Sequence, residues 1–69
     1  MSEKFWINYV SSSRIAKSPT LDSENAAIQK AFDLEMRQKA NVINIESNSG
    51  RVIPKDECLR LAKERQLTD

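Results

Sequence analysis

Cys58 is the only cysteine among 69 residues, and histidine is absent. No internal disulfide can form, and the usual Cys/His zinc sites are excluded. A chain this short buries only about 60% of the surface it exposes when unfolded. Its fold must therefore rest on side-chain packing, with self-association or a partner as a source of further stability. It is expected to form one domain, 1–69.

Apolar periodicity says what that domain contains. Phe5-Trp6-Ile7-Asn8-Tyr9-Val10 is aromatic and β-branched, which predicts a strand over about 4–10. Phe5, Ile7 and Tyr9 share one face, and Trp6, Asn8 and Val10 the other. Ser11-Ser12-Ser13 suits a turn, and Arg14-Ile15-Ala16-Lys17 a returning strand over about 14–18, ended by Pro19. Thr20, Asp22 and Ser23 are candidate N-caps for a helix over about 23–39. Its apolar stripe is Ala27, Ile28, Ala31 and Phe32.

A second hairpin follows. Val42-Ile43-Asn44-Ile45-Glu46 alternates, which places Ile43 and Ile45 on one face and Val42, Asn44 and Glu46 on the other. Ser47-Asn48-Ser49-Gly50 is a turn by composition, and the chain returns over about 51–54. Pro54, Asp56 and Glu57 then start a helix over about 56–66. Its apolar residues are Cys58, Leu59, Leu61 and Ala62, and Leu67-Thr68-Asp69 is expected to fray. The expected fold class is α+β, in the order β-β-α-β-β-α: a small antiparallel sheet with the main helix packed on one face.

Eleven Lys and Arg balance ten Asp and Glu, for a net charge of +1. That balance argues neither for a dedicated nucleic-acid binder nor for an acidic mimic of DNA, and it leaves local patches open. No apolar run reaches the length of a membrane span, and the Met1-Ser2-Glu3-Lys4 start leads into no secretory apolar region. The expected location is the cytoplasm of a host cell, with no membrane partner.

No catalytic pattern stands out, and the expectation is a protein that is not an enzyme and needs no cofactor or metal. Cys58 lies on the apolar side of a short helix, with no histidine to serve as its base. Asp22, Glu24, Asp33, Glu35, Glu46, Asp56 and Glu57 form no metal loop or paired acid, and a lone Gly50 cannot cradle phosphate.

Six residues are candidates for partner binding. Arg14, Lys17, Arg51 and Lys55 flank the predicted strands and turns and could gather on one edge of the sheet. They are expected to matter for function and little for folding; as edge charges they also guard against aggregation. Trp6 points away from Phe5, Ile7 and Tyr9. Burial under the C-terminal helix is the expectation for it, and an interface anchor is the alternative. Glu35 lies near the middle of the apolar arc with Lys39 one turn on. A solvated surface pair is expected there, against a charged pair aimed at a partner groove.

The stretch Val42-Ile43-Asn44-Ile45-Glu46-Ser47-Asn48-Ser49-Gly50 resembles the corresponding hairpin of small phage-encoded anti-CRISPR inhibitors of type I surveillance complexes. The likeness covers roughly 5–56 in the order of elements: an opening β segment, an Ala-rich helix, then a strand with an Ile-Glu pair before a polar turn ending in Gly. The chain departs after Pro54, where a second helix is expected. The resemblance implies a non-catalytic inhibitor from a phage or mobile element that blocks a CRISPR surveillance complex. It supplies no residue-level site, since the matching segment is mostly strand framework. Two alternatives stand beside it. One is a small nucleic-acid-binding regulator, with Trp6 and Tyr9 available for base stacking. The other is a homodimeric structural accessory protein, which follows from the thin core.

Overall fold

A computed structural model describes residues 3–67. The elements run β1 (Phe5–Ser11), β2 (Arg14–Lys17), α1 (Glu24–Met36), β3 (Asn41–Ser47), β4 (Val52–Pro54) and α2 (Lys55–Glu64). The α+β class and the β-β-α-β-β-α order are those expected from the sequence. The four strands form one antiparallel sheet in the order β2-β1-β3-β4. Both helices pack on the same side of it and touch each other.

Local chemistry explains the element boundaries. β1 and β2 close through Ser12 and Ser13 at φ of 52° and 65°. Positive φ at both central residues matches the right-handed twist of a two-residue hairpin. Among the three candidate caps, the Ser23 hydroxyl is the one that caps α1, accepting from the Ala26 N–H. The helix stops at Met36, a turn earlier than the expected boundary near Lys39. Lys39 is left-handed at φ 54°, and the Ala40 N–H donates to the Leu34 carbonyl, which turns the chain into β3.

α2 ends in a Schellman motif. Gln66 is left-handed at φ 58°, its N–H donates to the Lys63 carbonyl, and the Leu67 N–H donates to that of Ala62. Leu67 therefore packs on the core instead of fraying as expected; Thr68 and Asp69 lie outside the described residues.

The core is a single layer between sheet and helices. Phe5 and Ile7 of β1, Val42 and Ile45 of β3 and Ile53 of β4 meet Ala27, Ile28, Ala31 and Leu34 of α1 and Cys58 and Ala62 of α2. Phe32, expected in the stripe, is only half-buried at its margin, and Leu34 fills the inner position.

The expected alternation of β3 holds for Asn44, Ile45 and Glu46 and fails at Val42 and Ile43. β1 and β3 shift register between Asn8 and Tyr9: Asn8 pairs with Asn44 and Tyr9 with Val42, so Ile43 is an extra residue in a bulge. Val42 is buried at 4% exposure beside Ile45, whereas Ile43 is 42% exposed. The bulge reverses the facing of every residue before it relative to a regular strand.

Candidate protein-binding face

The helices cover one side of the sheet and leave the other open. Strand alternation and register put Trp6, Asn8 and Val10 of β1 on the open side. With them lie Ile15 and Lys17 of β2, Asn44 and Glu46 of β3, and Val52 and Pro54 of β4. None of these nine residues is buried. Ile15 is 78% exposed and Val52 56%, large apolar side chains that a chain with so small a core leaves in water.

Trp6 stands towards one end of this face, near the start of β1, paired across strands with Glu46. The expected burial under the C-terminal helix is not found, because α2 packs with α1 on the other side. Instead the Lys17 ammonium stands over the indole, 4.4 Å from the ring centre. The Trp6 Nε1–H is shielded yet has no acceptor among the described residues. Asn8 links the strands by donating from Nδ2 to Asn44 Oδ1 at 2.8 Å and to Glu46 Oε1. The indole therefore lies between a cation on β2 and a carboxylate on β3.

The other candidates do not join this face as a group. Arg14 and Lys17 are on β2 while Arg51 and Lys55 adjoin β4, so the four basic residues divide between opposite edges of the sheet. The expected basic edge does not form. Arg51 pairs with Glu24 and, at 3.3 Å, with Glu3. Arg65 also holds Glu24, at 2.8 Å. This cluster joins the segment before β1, the start of α1, the β3–β4 turn and the end of α2. The Arg65 hydrogen bond holds the Glu24 carboxyl below its ordinary range, and the Ser49 hydroxyl does the same for Glu3.

Lys55 is also taken. It pairs at 2.9 Å with Glu35, whose carboxylate accepts in addition from the Val42 N–H at 3.4 Å. Glu35 is thus close to the core arc, as its helical position implies. It is neither the solvated partner of Lys39 nor a charge aimed outward. Lys39 lies beyond the helix end, and Glu35 ties the C-terminus of α1 to the first residue of α2.

Cys58 is buried and donates from Sγ to the Ile53 carbonyl at 3.4 Å. Burial pushes the thiol up to about 11, so it stays protonated and inert at neutral pH. Among the described residues no three His, Cys, Asp or Glu side chains cluster as a metal site would require. No helix among them is long and apolar enough to cross a membrane.

Ile15, Val52, Asn8, Asn44 and Glu46 were not singled out in the sequence. For Ile15 the signal was present: within Arg14-Ile15-Ala16-Lys17 it shares the parity of Lys17. For Asn44 and Glu46 it was present too: the expected alternation sets them on the face opposite Ile45, and the bulge lies before them. No protein-family model matches this chain, and no match was found among curated proteins or solved structures.

Proposed function

We propose that this chain is a non-catalytic protein-binding domain, an inhibitor of the kind carried by phages and mobile elements, and that it engages its partner with the open face of the sheet. The observation that carries the reading is that this face exposes Ile15 and Val52 together with Trp6, which is flanked by Lys17 and Glu46. Apolar surface around an aromatic anchor, with both signs of charge nearby, suits a protein surface. It suits a nucleic acid poorly. Glu46 stands beside the indole and repels phosphate, while Arg51 and Lys55 are already neutralised.

The partner implied by the hairpin resemblance is a type I CRISPR surveillance complex. The test is a competition experiment with a guide-loaded complex, labelled target DNA and increasing amounts of the protein. Loss of target binding, together with co-elution of protein and complex, is the expected result; Trp6→Ala should abolish both while leaving the fold intact. Full target binding at saturating protein removes the CRISPR part. A Trp6→Ala chain that retains every partner captured by the native chain removes the open face from the reading. Binding to nucleic acid that weakens steeply with salt would replace the reading altogether.

A further inference from the structure

The two edges of the sheet differ. β4 is three residues long, ends in Pro54, which has no N–H, and runs directly into α2. β2, four residues long, has no proline and no helix following it directly, and its only guards are the charges of Arg14 and Lys17. Along its inner side the Ser18 N–H donates to the Ile7 carbonyl at 2.9 Å, and Tyr9 pairs with Ala16 and Ser11 with Arg14. Antiparallel strands alternate residue by residue between bonding inward and outward. Arg14, Ala16 and Ser18 therefore bond inward, and the backbone N–H and C=O of Ile15 and Lys17 face outward with no strand of the described residues beside them.

We propose that β2 pairs antiparallel with β2 of a second copy of this chain, centred on Ala16, to make one continuous eight-stranded sheet. The register is selected by the residues present. Centring on Ala16 sets Ile15 against Lys17 of the second copy, and Lys17 against its Ile15. All four outward-facing residues then exchange both of their backbone hydrogen bonds. Centring on Ile15 would set Lys17 against Ser13, which is left-handed at φ 65° and lies in the turn. Centring on Lys17 would set Ile15 against Pro19, which cannot donate.

In the Ala16 register no like charges oppose each other. Arg14 faces Ser18, and the Lys17 stem covers Ile15, the most exposed large apolar side chain of the described residues. The Lys17 ammonium is already placed over Trp6, so pairing requires no lone cation to be buried. The two-fold axis is self-complementary, as a closed dimer requires. The dimer joins two open faces side by side, and it stands independently of which partner that face binds.

The test uses the full chain. Sedimentation across a wide concentration range is expected to give twice the 7.9 kDa chain mass at the upper end. Ile15→Pro removes one outward N–H and no bond to β1, so it should sediment as the single chain with an unchanged far-ultraviolet spectrum. Ala16→Cys probes the register directly. At a non-hydrogen-bonded pair the two Cα atoms are about 4.5 Å apart, within disulfide reach, so this variant should cross-link on mild oxidation. The native chain, with only the buried Cys58, should not. A native chain that stays single at every concentration overturns the proposal. So does a dimer that persists in Ile15→Pro and gives no cross-link with Ala16→Cys. If Ile15→Pro does not fold, or the two variants disagree, the cross-link decides.

Discussion

The ammonium of Lys17 lies 4.4 Å from the centre of the Trp6 ring, on the side of the sheet opposite both helices. This contact holds the sole tryptophan of the chain in place on the proposed binding face. At exposed sites such a pair contributes about 0.5–1 kcal/mol. Lys17→Ala should therefore lower stability by about 1 kcal/mol or less, while changing the emission of Trp6 and weakening partner binding. Chemical denaturation followed by tryptophan fluorescence reads the first two in one experiment. An unchanged native spectrum would show that the cation does not order the ring.

The bulge in β3 makes neighbouring isoleucine and valine residues unequal. Ile43→Lys should be tolerated within about 0.5 kcal/mol, the usual range for exposed positions. Val42→Lys places a charge in the core and should leave the chain unfolded. Circular dichroism of the two variants distinguishes this arrangement from regular alternation, which gives the opposite order.

Core truncations should scale with burial. Ile45→Ala and Ile7→Ala remove fully buried side chains and should each cost about 2–5 kcal/mol, a large part of the stability of a small domain. Phe32→Ala removes a half-buried ring and should cost less than the roughly 3–5 kcal/mol of a buried one. Urea titration measures all three. A Phe32→Ala loss equal to that of Ile45→Ala would place the ring deeper than its exposure indicates.

Acid should loosen the clamp at Glu3 and Glu24. Both carboxyls are held below their ordinary value of 4.5, so they bind protons more readily in the unfolded chain. Their contribution is present above that value and is lost as pH falls through the depressed folded values. The melting temperature should fall on acidification below about pH 4.5, and Glu24→Gln should flatten that fall. Equal acid slopes for the native and Glu24→Gln chains would remove the clamp from the account.

The alkaline side should report on Cys58. Its thiol is raised from 9.0 to about 11 by burial, so the folded chain holds this proton more tightly than the unfolded one. Stability from this group is complete below the unfolded value and is lost as pH rises from 9.0 towards about 11. Melting temperatures in that window should decline more steeply for the native chain than for Cys58→Ala. At neutral pH a thiol reagent should label Cys58 only as fast as the chain opens.

The order of elements was legible because each carries its own local signal. Examples are the β-branched run at Phe5–Val10, the cap at Ser23 and the acidic first turn at Asp56 and Glu57. The facing of Val42 and Ile43 was not legible. A five-residue alternation fits either face, and only pairing with β1 reveals the extra residue. The basic residues misled for a related reason. Composition shows that Arg14, Lys17, Arg51 and Lys55 lie near strands, but strand order sends them to opposite edges. Glu24, Glu3 and Glu35 then claim two of the four. The open face follows from both helices packing on one side of the sheet, which no local sequence signal encodes.

The strand order also implies an order of events in folding. β1 lies inside the sheet between β2, which follows it after two residues, and β3, which begins some thirty residues later at Asn41. The serine-turned hairpin can close within microseconds of any encounter, since its ends are never far apart. The seam between β1 and β3 must instead gather a long loop that contains all of α1, and the entropy of closing that loop is spent before Ile7 and Ile45 can touch. The rate-limiting barrier of this protein should therefore lie at that seam. Mutations on the β1–β3 ladder and in the early-closing β1–β2 turn should both slow refolding, because both are in place when the barrier is crossed.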